Sequence, residues 1–430
     1  MEKIENYSPL LKEAYTMIKH DSGLRVYVFP KELTTMYALL AVQYGSLDST
    51  FSSDGAAVEE VPDGIAHFLE HKLFDSPDGK DVLADFSALG ADANAYTTYN
   101  RTAYLFSCTE RFSDALGELL KFVTTPYFTK ESVQKEQGII AEEIRMYEDI
   151  PWERGYQNLL GALFPDHPVR KSICGTVRSI QKITPELLYR CYRAFYRLSN
   201  MALVVCGSVS EDEVLRVVDE ALGALQPSEG IIQKILPHSI GKVKKHLISC
   251  RMQVAKPIFS IGWKDSVLLS NPKERLHRDF CMSLLNEVLF SQAGEFYSEL
   301  FEQGIITPSF SCGYSSAESF AFHCIVGESD TPDTVLERLY AYLDKVRQTG
   351  ISKEAFERCR RVLYADEIRA YDSTEEIANR LVSFVFDGAE LFDAPSVLEE
   401  ITIEELQFIL EQFYQKDMVS MSVVFPLEEQ

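Results

Sequence analysis

Predicted strands and helices follow one another in the same order twice along this chain of 430 residues. In the first half, a strand predicted at Leu24–Phe29 precedes a helix predicted at Val61–Asp75. In the second half, a strand predicted at Ala255–Trp263 precedes a helix predicted at Glu274–Leu289. Two prolines and two glycines interrupt the pattern between the halves, at Gln226–Lys242. Because one hydrophobic core rarely serves more than about 250–300 residues, the chain is expected to form two related domains.

Each half combines buried strands with clusters of amphipathic helices, a mixture that is typical of the α+β class. The apolar run Met201–Gly207, for example, predicts a buried strand in the first half. We predict two similar domains, each a sheet with a helix layer over one face. They are expected at residues 1–226 and 242–430, joined by a linker at residues 227–241.

The charge balance limits the possible partners. Forty-two Lys and Arg residues against 65 Asp and Glu residues give a net charge of −23, which repels nucleic-acid phosphates and anionic lipid. No apolar run approaches the roughly 18 residues of a membrane span. We therefore predict neither a nucleic-acid partner nor a membrane association. The nine cysteines lack paired spacing, and the first 21 residues lack a signal-peptide core, so a reduced, cytoplasmic protein is expected.

The most informative helix carries two histidines. His67 and His71 are four residues apart, so their rings share one helix face at a spacing that lets two imidazoles bind one metal ion. Glu70 lies beside them, close enough to hold a water molecule at the metal. The apolar residues of the segment fall on the opposite face. The alternative is a solvated face that carries two histidines by chance.

A third ligand is expected from another element, because catalytic zinc takes three protein ligands and keeps one open position. The predicted helix Lys130–Tyr147 places Glu136 and Glu143 in the middle of its apolar stripe, where a carboxylate is costly unless it is paired or metal-bound. Glu143 is thus the predicted third ligand, Glu136 a supporting carboxylate, and Glu142 a solvated neighbour. The alternative is a helix whose acids pair with Arg or Lys.

These residues define a possible reaction. Zinc held by His67, His71 and Glu143 would lower the pKa of a water molecule, and Glu70 could take its proton and pass it to a leaving amine. The metal would polarise the scissile carbonyl. This chemistry is amide hydrolysis, with one Zn²⁺ per chain and no metal ligands in the second domain.

The order H-x-x-E-H is the inverzincin signature, and here the sequence resembles the insulinase, pitrilysin and mitochondrial processing peptidase family of zinc metallopeptidases. The family's zinc helix is similar to GIAHFLEHKLFDS, its edge strand to DANAYTTYNRTAYLFSC and a further segment to HPVRKSICGT. The resemblance implies zinc ligands at His67, His71 and Glu143, with Glu70 as catalytic base. It also implies an edge strand along the substrate that Asn94 and Ala95 open, and two α+β domains that form half of a clamshell chamber for extended peptides.

One departure concerns the second half, where the family usually carries an Arg and a Tyr seven residues apart. Here Phe301 stands at the Arg position and Thr307 or Pro308 near the Tyr position, while Tyr314 has no Arg at that spacing. Half-size members of the family work in pairs of chains. We therefore expect the metal-bearing subunit of a dimer, either with a related chain that lacks metal ligands or with a second copy.

Two other functions remain open at this point. The same fold occurs in non-catalytic subunits that bind peptides or support larger complexes, although such subunits usually lose the metal residues that are present here. A metal-dependent hydrolase of another substrate would use the same ligands. The edge-strand motif favours peptides over other substrates.

Overall fold

The computed structural model describes residues 1–77, 79–223, 225 and 230–428. The strands are β1 (Glu2–Ser8), β2 (Glu13–Lys19), β3 (Arg25–Pro30), β4 (Met36–Val42), β5 (Thr50–Ser53), β6 (Glu59–Glu60), β7 (Asp92–Thr97), β8 (Thr102–Cys108), β9 (Met201–Gly207), β10 (Ile232–Lys234), β11 (Leu247–Met252), β12 (Ile258–Lys264), β13 (Ser311–Ser316), β14 (Ala321–Glu328) and β15 (Val419–Pro426).

The α-helices are α1 (Ile65–Leu73), α2 (Val82–Ala88), α3 (Phe112–Thr124), α4 (Lys130–Glu148), α5 (Pro151–Leu163), α6 (Val177–Ile180), α7 (Pro185–Phe195), α8 (Glu211–Leu222), α9 (Pro272–Phe290), α10 (Glu295–Glu302), α11 (Pro332–Thr349), α12 (Lys353–Arg369), α13 (Thr374–Asp387), α14 (Ala394–Glu400) and α15 (Ile403–Phe413). Short 3₁₀ turns lie at Pro168–Arg170, Leu198–Asn200, Ala370–Asp372 and Leu391–Asp393.

The chain forms two compact units that are not continuous in sequence. The first contains residues 1–144, 172–236 and 368–392, and the second contains residues 145–171, 237–367 and 393–430. Helix α5 thus joins the second unit and helix α13 the first. The sequence predicts domains at residues 1–226 and 242–430 with a linker at 227–241, and this division stays a prediction. Residues 226–229 lie outside the described part of the chain.

The first unit is built on a seven-stranded sheet of order β1-β2-β3-β9-β4-β8-β7. The central strand β9 is buried along its whole length because both sheet faces are covered. Alternate residues, such as Val28 and Leu40, point into the core beneath α1, α3 and α8. The residues between them, such as Phe29 and Leu39, point to the opposite face of the sheet and pack under α13. Strand β7 lies at one edge of this sheet.

The second unit is built on a five-stranded sheet of order β11-β15-β12-β14-β13. Phe259, Ile261 and Trp263 of β12 point into the core formed with α9, α11 and α15. Helix α5 packs on β12 and β15, where a Cβ at Gly262 would lie 2.8 Å from a Leu163 methyl carbon. Glycine at this position therefore allows the helix to approach the sheet closely.

The architecture agrees with the predicted α+β class of two similar sheet-and-helix domains. The prediction that helices cover only one face of each sheet was wrong. Helix α13 covers the other face of the sheet in the first unit, and helix α5 covers the other face in the second. Part of the predicted linker is also structured, because Ile232–Lys234 form β10, which pairs antiparallel with β5 in the first unit. Among the described helices, none is both long and apolar enough to cross a bilayer.

Candidate metal centre

Two glycines fix the start of helix α1 against the segment that contains Cys174. Gly64 begins the helix with φ = 88°, a left-handed conformation that glycine adopts without strain. A Cβ at Gly64 would lie 2.4 Å from the carbonyl oxygen of Cys174, and a Cβ at Gly175 would lie 2.4 Å from that of Asp63. Side chains at either position would therefore separate the two backbones and move the helix that carries His67.

Helices α1 and α4 bring the three predicted ligands together. The Nε2 atom of His67 lies 3.7 Å from Oε1 of Glu143, and Nε2 of His71 lies 3.6 Å from Oε2 of the same carboxylate. The two imidazole rings have their centroids 4.6 Å apart and are inclined at 62°. Both histidines thus present the same ring nitrogen to one carboxylate.

The distances between the two Nε2 atoms and the Glu143 oxygens match ligands that share one zinc ion better than groups that hydrogen-bond directly. Direct N–H···O bonds span about 2.7–3.2 Å, which is shorter than the 3.6 and 3.7 Å observed. Nitrogen and oxygen ligands at about 2.0–2.2 Å from a tetrahedral zinc ion lie about 3.3–3.5 Å from one another. Two imidazoles and one carboxylate are also a donor set of catalytic zinc sites. These residues therefore fit the ion, and their role as ligands remains a prediction.

Glu136 contacts the other ring nitrogen of His71. Its Oε1 lies 3.1 Å from Nδ1 of His71, and its Oε2 lies 3.7 Å from the ammonium of Lys72, which also pairs with Asp75. Burial alone would raise the pKa of Glu136, but the hydrogen bond from His71 and the charge of Lys72 lower it. The carboxylate therefore stays ionised and fixes the tautomer that leaves His71 Nε2 available as a ligand.

The two histidines have opposite pKa shifts. Burial, followed by the charge of His71, lowers the pKa of His67 to about 3. Burial would lower the pKa of His71 as well, but the hydrogen bond to Glu136 and the surrounding carboxylates raise it. A metal ion requires neutral imidazole ligands, and burial already favours that form at His67.

Glu70 is positioned differently from the ligands. It is buried, with 7% of its surface exposed, and its Oε2 accepts a hydrogen bond from the hydroxyl of Thr97 on β7. Burial raises the pKa of Glu70 to about 6, against the opposing effect of the Thr97 hydrogen bond. A carboxyl group in this range can both accept and release a proton near neutral pH.

Asn94 and Ala95 lie on β7, which has a hydrogen-bonded neighbour, β8, on one side only in the described part of the chain. Asn94 is exposed, and its Oδ1 accepts a hydrogen bond from the N–H of Ala95 at 2.8 Å. Helix α1 packs directly against this strand. The candidate metal centre and the sheet edge are therefore adjacent.

Sequence reasoning missed two residues beside the metal centre. Thr97 follows Ala95 by two positions, so it lies on the same face of β7, and this alternation could have identified it. Cys174 has its Sγ 4.0 Å from Nε2 of His67. It belongs to the segment HPVRKSICGT, which was singled out only as a resemblance.

Within the described part of the second unit, the residues at the Arg and Tyr positions do not form a comparable cluster of possible metal ligands. Phe301 is 45% exposed on α10, and the Thr307 hydroxyl donates to Glu328 at 3.1 Å. The Tyr314 hydroxyl donates to Asp265 at 2.7 Å, a buried carboxylate that also pairs with Arg278 at 2.7 Å. Tyr314 therefore already has a structural partner.

Comparison with known proteins defines the family. The sequence profile described as insulinase, peptidase family M16, matches residues 52–177, and that of the M16 inactive domain matches residues 182–363. The uncharacterized zinc protease YmfH of Bacillus subtilis (strain 168) is 38% identical over 422 residues, which cover 97% of each chain. The chain therefore belongs to the insulinase family of peptidases, as its sequence resemblance indicated.

Solved structures agree with this assignment. A crystal structure from Alicyclobacillus acidocaldarius, described as M16-like peptidase, has a TM-score of 0.93 and 34% identity, and the match covers 99% of this chain and 100% of that one. Pitrilysin is similar in fold alone, with a TM-score of 0.77 and 17% identity. This chain matches 46% of the length of pitrilysin. The names of the relatives support a peptidase that uses zinc.

Proposed function

We propose that this protein is a zinc-dependent endopeptidase that cleaves extended peptides or unfolded segments. The observation that carries the proposal is the pair of Nε2 atoms, on His67 and His71, that face the two oxygens of Glu143. One zinc ion per chain would bind there. When bound, zinc supplies a Lewis acid that polarises the scissile carbonyl and acidifies water.

Glu70 is proposed as the general base and then the general acid. Its buried carboxyl group has a pKa of about 6, and the hydrogen bond from Thr97 holds one oxygen in place. Glu70 would accept a proton from the attacking water and deliver it to the leaving amine, so that the protein ends the cycle in its starting protonation state. Thr97 positions Glu70 in this proposal.

The edge of β7 that no strand of the described residues pairs with is proposed as the substrate-binding edge. An extended peptide can add to such an edge as a further strand, so that main-chain hydrogen bonds give affinity without requiring a particular sequence. Asn94 and Ala95 would contact this peptide. Binding would replace the local hydrogen bond that the N–H of Ala95 donates to Asn94.

The test is cleavage of a quenched peptide library by the wild type and by Glu70→Gln. We expect activity to fall by a factor of about 10²–10⁴, because only the proton-transfer group is removed. Zinc content should remain that of the wild type. Glu142→Gln, which changes an exposed acid on α4, is the control and should retain both. Wild-type turnover by Glu70→Gln would refute the role of Glu70.

We further propose that the chain is the metal-bearing subunit of a dimer, either with a related chain that lacks the metal residues or with a second copy. The support is the missing Arg and Tyr, since Phe301 stands at the Arg position and Thr307 or Pro308 near the Tyr position. Peptide cleavage should be weak for the purified chain at concentrations that keep it monomeric and should rise on pairing. Full activity of a monomer would remove the need for a partner.

A non-catalytic subunit that binds peptides is the alternative. The observation that favours it is the match of residues 182–363 to a profile named for an inactive domain. In that case the wild type would bind peptides without cleaving them, and Glu70→Gln would change nothing in the assay.

A further inference from the structure

Cys174 lies beside two of the three proposed ligands, His67 and Glu143. Its Sγ is 4.0 Å from Nε2 of His67, and the possible ligand atoms of His67, Glu143 and Cys174 all fall within 4.8 Å of one another. A sulfur ligand at about 2.3 Å and a nitrogen ligand at about 2.0–2.1 Å on one tetrahedral zinc ion lie about 3.6 Å apart. A shift of about 0.4 Å would therefore bring this sulfur and this nitrogen to the separation of two ligands on one zinc ion.

The backbone around Cys174 is held against the start of α1. The carbonyl oxygen of Cys174 lies where a Cβ on Gly64 would clash, and Gly175 approaches the carbonyl of Asp63 equally closely. The Ser179 hydroxyl donates a hydrogen bond to that same Asp63 carbonyl at 2.8 Å. The backbone of Cys174 is thus held close to the start of the helix that carries His67, and the residue is 7% exposed.

The surroundings of His67 give a second and independent observation. His67 is 92% buried, since 8% of its surface is exposed. Its Nδ1 is buried and has no hydrogen-bond partner in the described part of the chain, whereas Nδ1 of His71 is held by Glu136. The Nε2 of His67 faces both Glu143 and the sulfur of Cys174. A buried imidazole directed at a carboxylate and a thiol is the environment of a bound metal ion.

We propose that Cys174 coordinates the zinc ion as a fourth protein ligand in the substrate-free chain, and that its sulfur closes the position that three ligands leave open. The inference rests on the proposed zinc site. As the sulfur–zinc bond forms, the S–H bond breaks and its proton leaves to solvent, so no oxidant or reductant is needed. Three protein ligands with an open position are typical of catalytic zinc, and four are typical of closed sites. The substrate-free chain would therefore hold its metal in a closed site, and the sulfur would have to leave the metal and take up a proton before water could bind there.

The test replaces zinc by Co²⁺, because a thiolate bound to Co²⁺ gives an intense near-ultraviolet charge-transfer band that imidazole and carboxylate ligands do not give. We expect this band in the wild type. Cys174→Ser and Cys174→Ala should lose it while they still bind one cobalt ion per chain. Cys108→Ser is the matched control, since Cys108 is a buried cysteine of the same unit and lies in the apolar core. The control should keep the band.

Three outcomes distinguish this inference from the proposed function. A wild type that binds cobalt without the band would overturn the role of Cys174 and leave the endopeptidase proposal intact. A band that persists in both Cys174 variants would overturn it as well, since another cysteine would then be the ligand. A wild type that binds no cobalt and no zinc would overturn both proposals.

Discussion

His67 in the first unit and His323 in the second are both buried histidines whose pKa burial lowers to about 3. Their neighbours differ. The Nε2 of His67 lies 3.7 Å from the Glu143 carboxylate. His323 on β14 is packed among rings, with the Phe290 centroid 5.7 Å away in a stacked arrangement. Neither nitrogen of His323 has a hydrogen-bond partner in the described residues.

The difference shows that a shifted pKa does not by itself indicate a functional site. Burial disfavours the charged imidazole equally in a metal centre and in an apolar core. The arrangement of charged partners separates the two cases, because His67 and His71 share Glu143 whereas Trp263 and Tyr414 contact His323 only as rings. Convergent ligand atoms are therefore the stronger evidence.

Among the residues that support the proposed ligands, we expect substitution of Glu136 to weaken metal binding most. Glu136→Gln removes the charged acceptor that fixes His71 Nδ1, and loss of such a support typically weakens metal binding about 10–100-fold. Competition with a zinc-sensitive dye measures the change. Glu142→Gln on the same helix is the control. Unchanged zinc affinity in Glu136→Gln would show that Glu136 does not orient the ligand.

A smaller effect is expected at His323, and it depends on pH. Burial holds the pKa of His323 in the folded chain at about 3, below its ordinary value of 6.5, so the unfolded chain binds a proton first as the pH falls. Above pH 6.5 His323 is neutral in both the folded and the unfolded chain, so it does not change the stability. Below pH 6.5 the unfolded chain is stabilised by protonation, and the free energy of unfolding falls. Between pH 6.5 and pH 5.5 the loss is about 1 kcal/mol.

His323→Phe removes this titration from the second unit. Between pH 7.5 and pH 5.5 the free energy of unfolding should fall by about 1.4 kcal/mol less in the variant than in the wild type. Denaturant unfolding of both proteins at the two pH values measures this difference. An identical pH dependence in the two proteins would mean that His323 does not titrate on unfolding as its burial requires.

The local part of the site was predictable from sequence. A four-residue interval puts His67 and His71 on one face of α1, and a seven-residue interval puts Glu136 and Glu143 on one face of α4, because helical periodicity depends only on nearby positions. Both pairs lie together in the structure, with His71 bonded to Glu136. The start of α1 is later than the predicted Val61 because Gly64 adopts a left-handed conformation.

The long-range part of the fold was not predictable in the same way. Ala95–Ser107 alternates like one strand, yet it forms β7 and β8 with a turn between them, closed by the N–H of Thr98 donating to the carbonyl of Arg101 at 2.7 Å. The assignment of α5 and α13 to sheets built from the other half of the sequence depends on tertiary packing. An amphipathic pattern shows that a helix has an apolar face, and it does not show which sheet covers that face.

Metal analysis after dialysis tests most directly whether His67, His71 and Glu143 hold one zinc ion. We expect about one zinc per chain in the wild type. We also expect loss of zinc in His67→Phe and Glu143→Gln, with retention in the matched controls His323→Phe and Glu142→Gln. A wild type without zinc, or a Glu143→Gln variant that retains zinc as firmly as Glu142→Gln does, would show that these residues do not form the metal site.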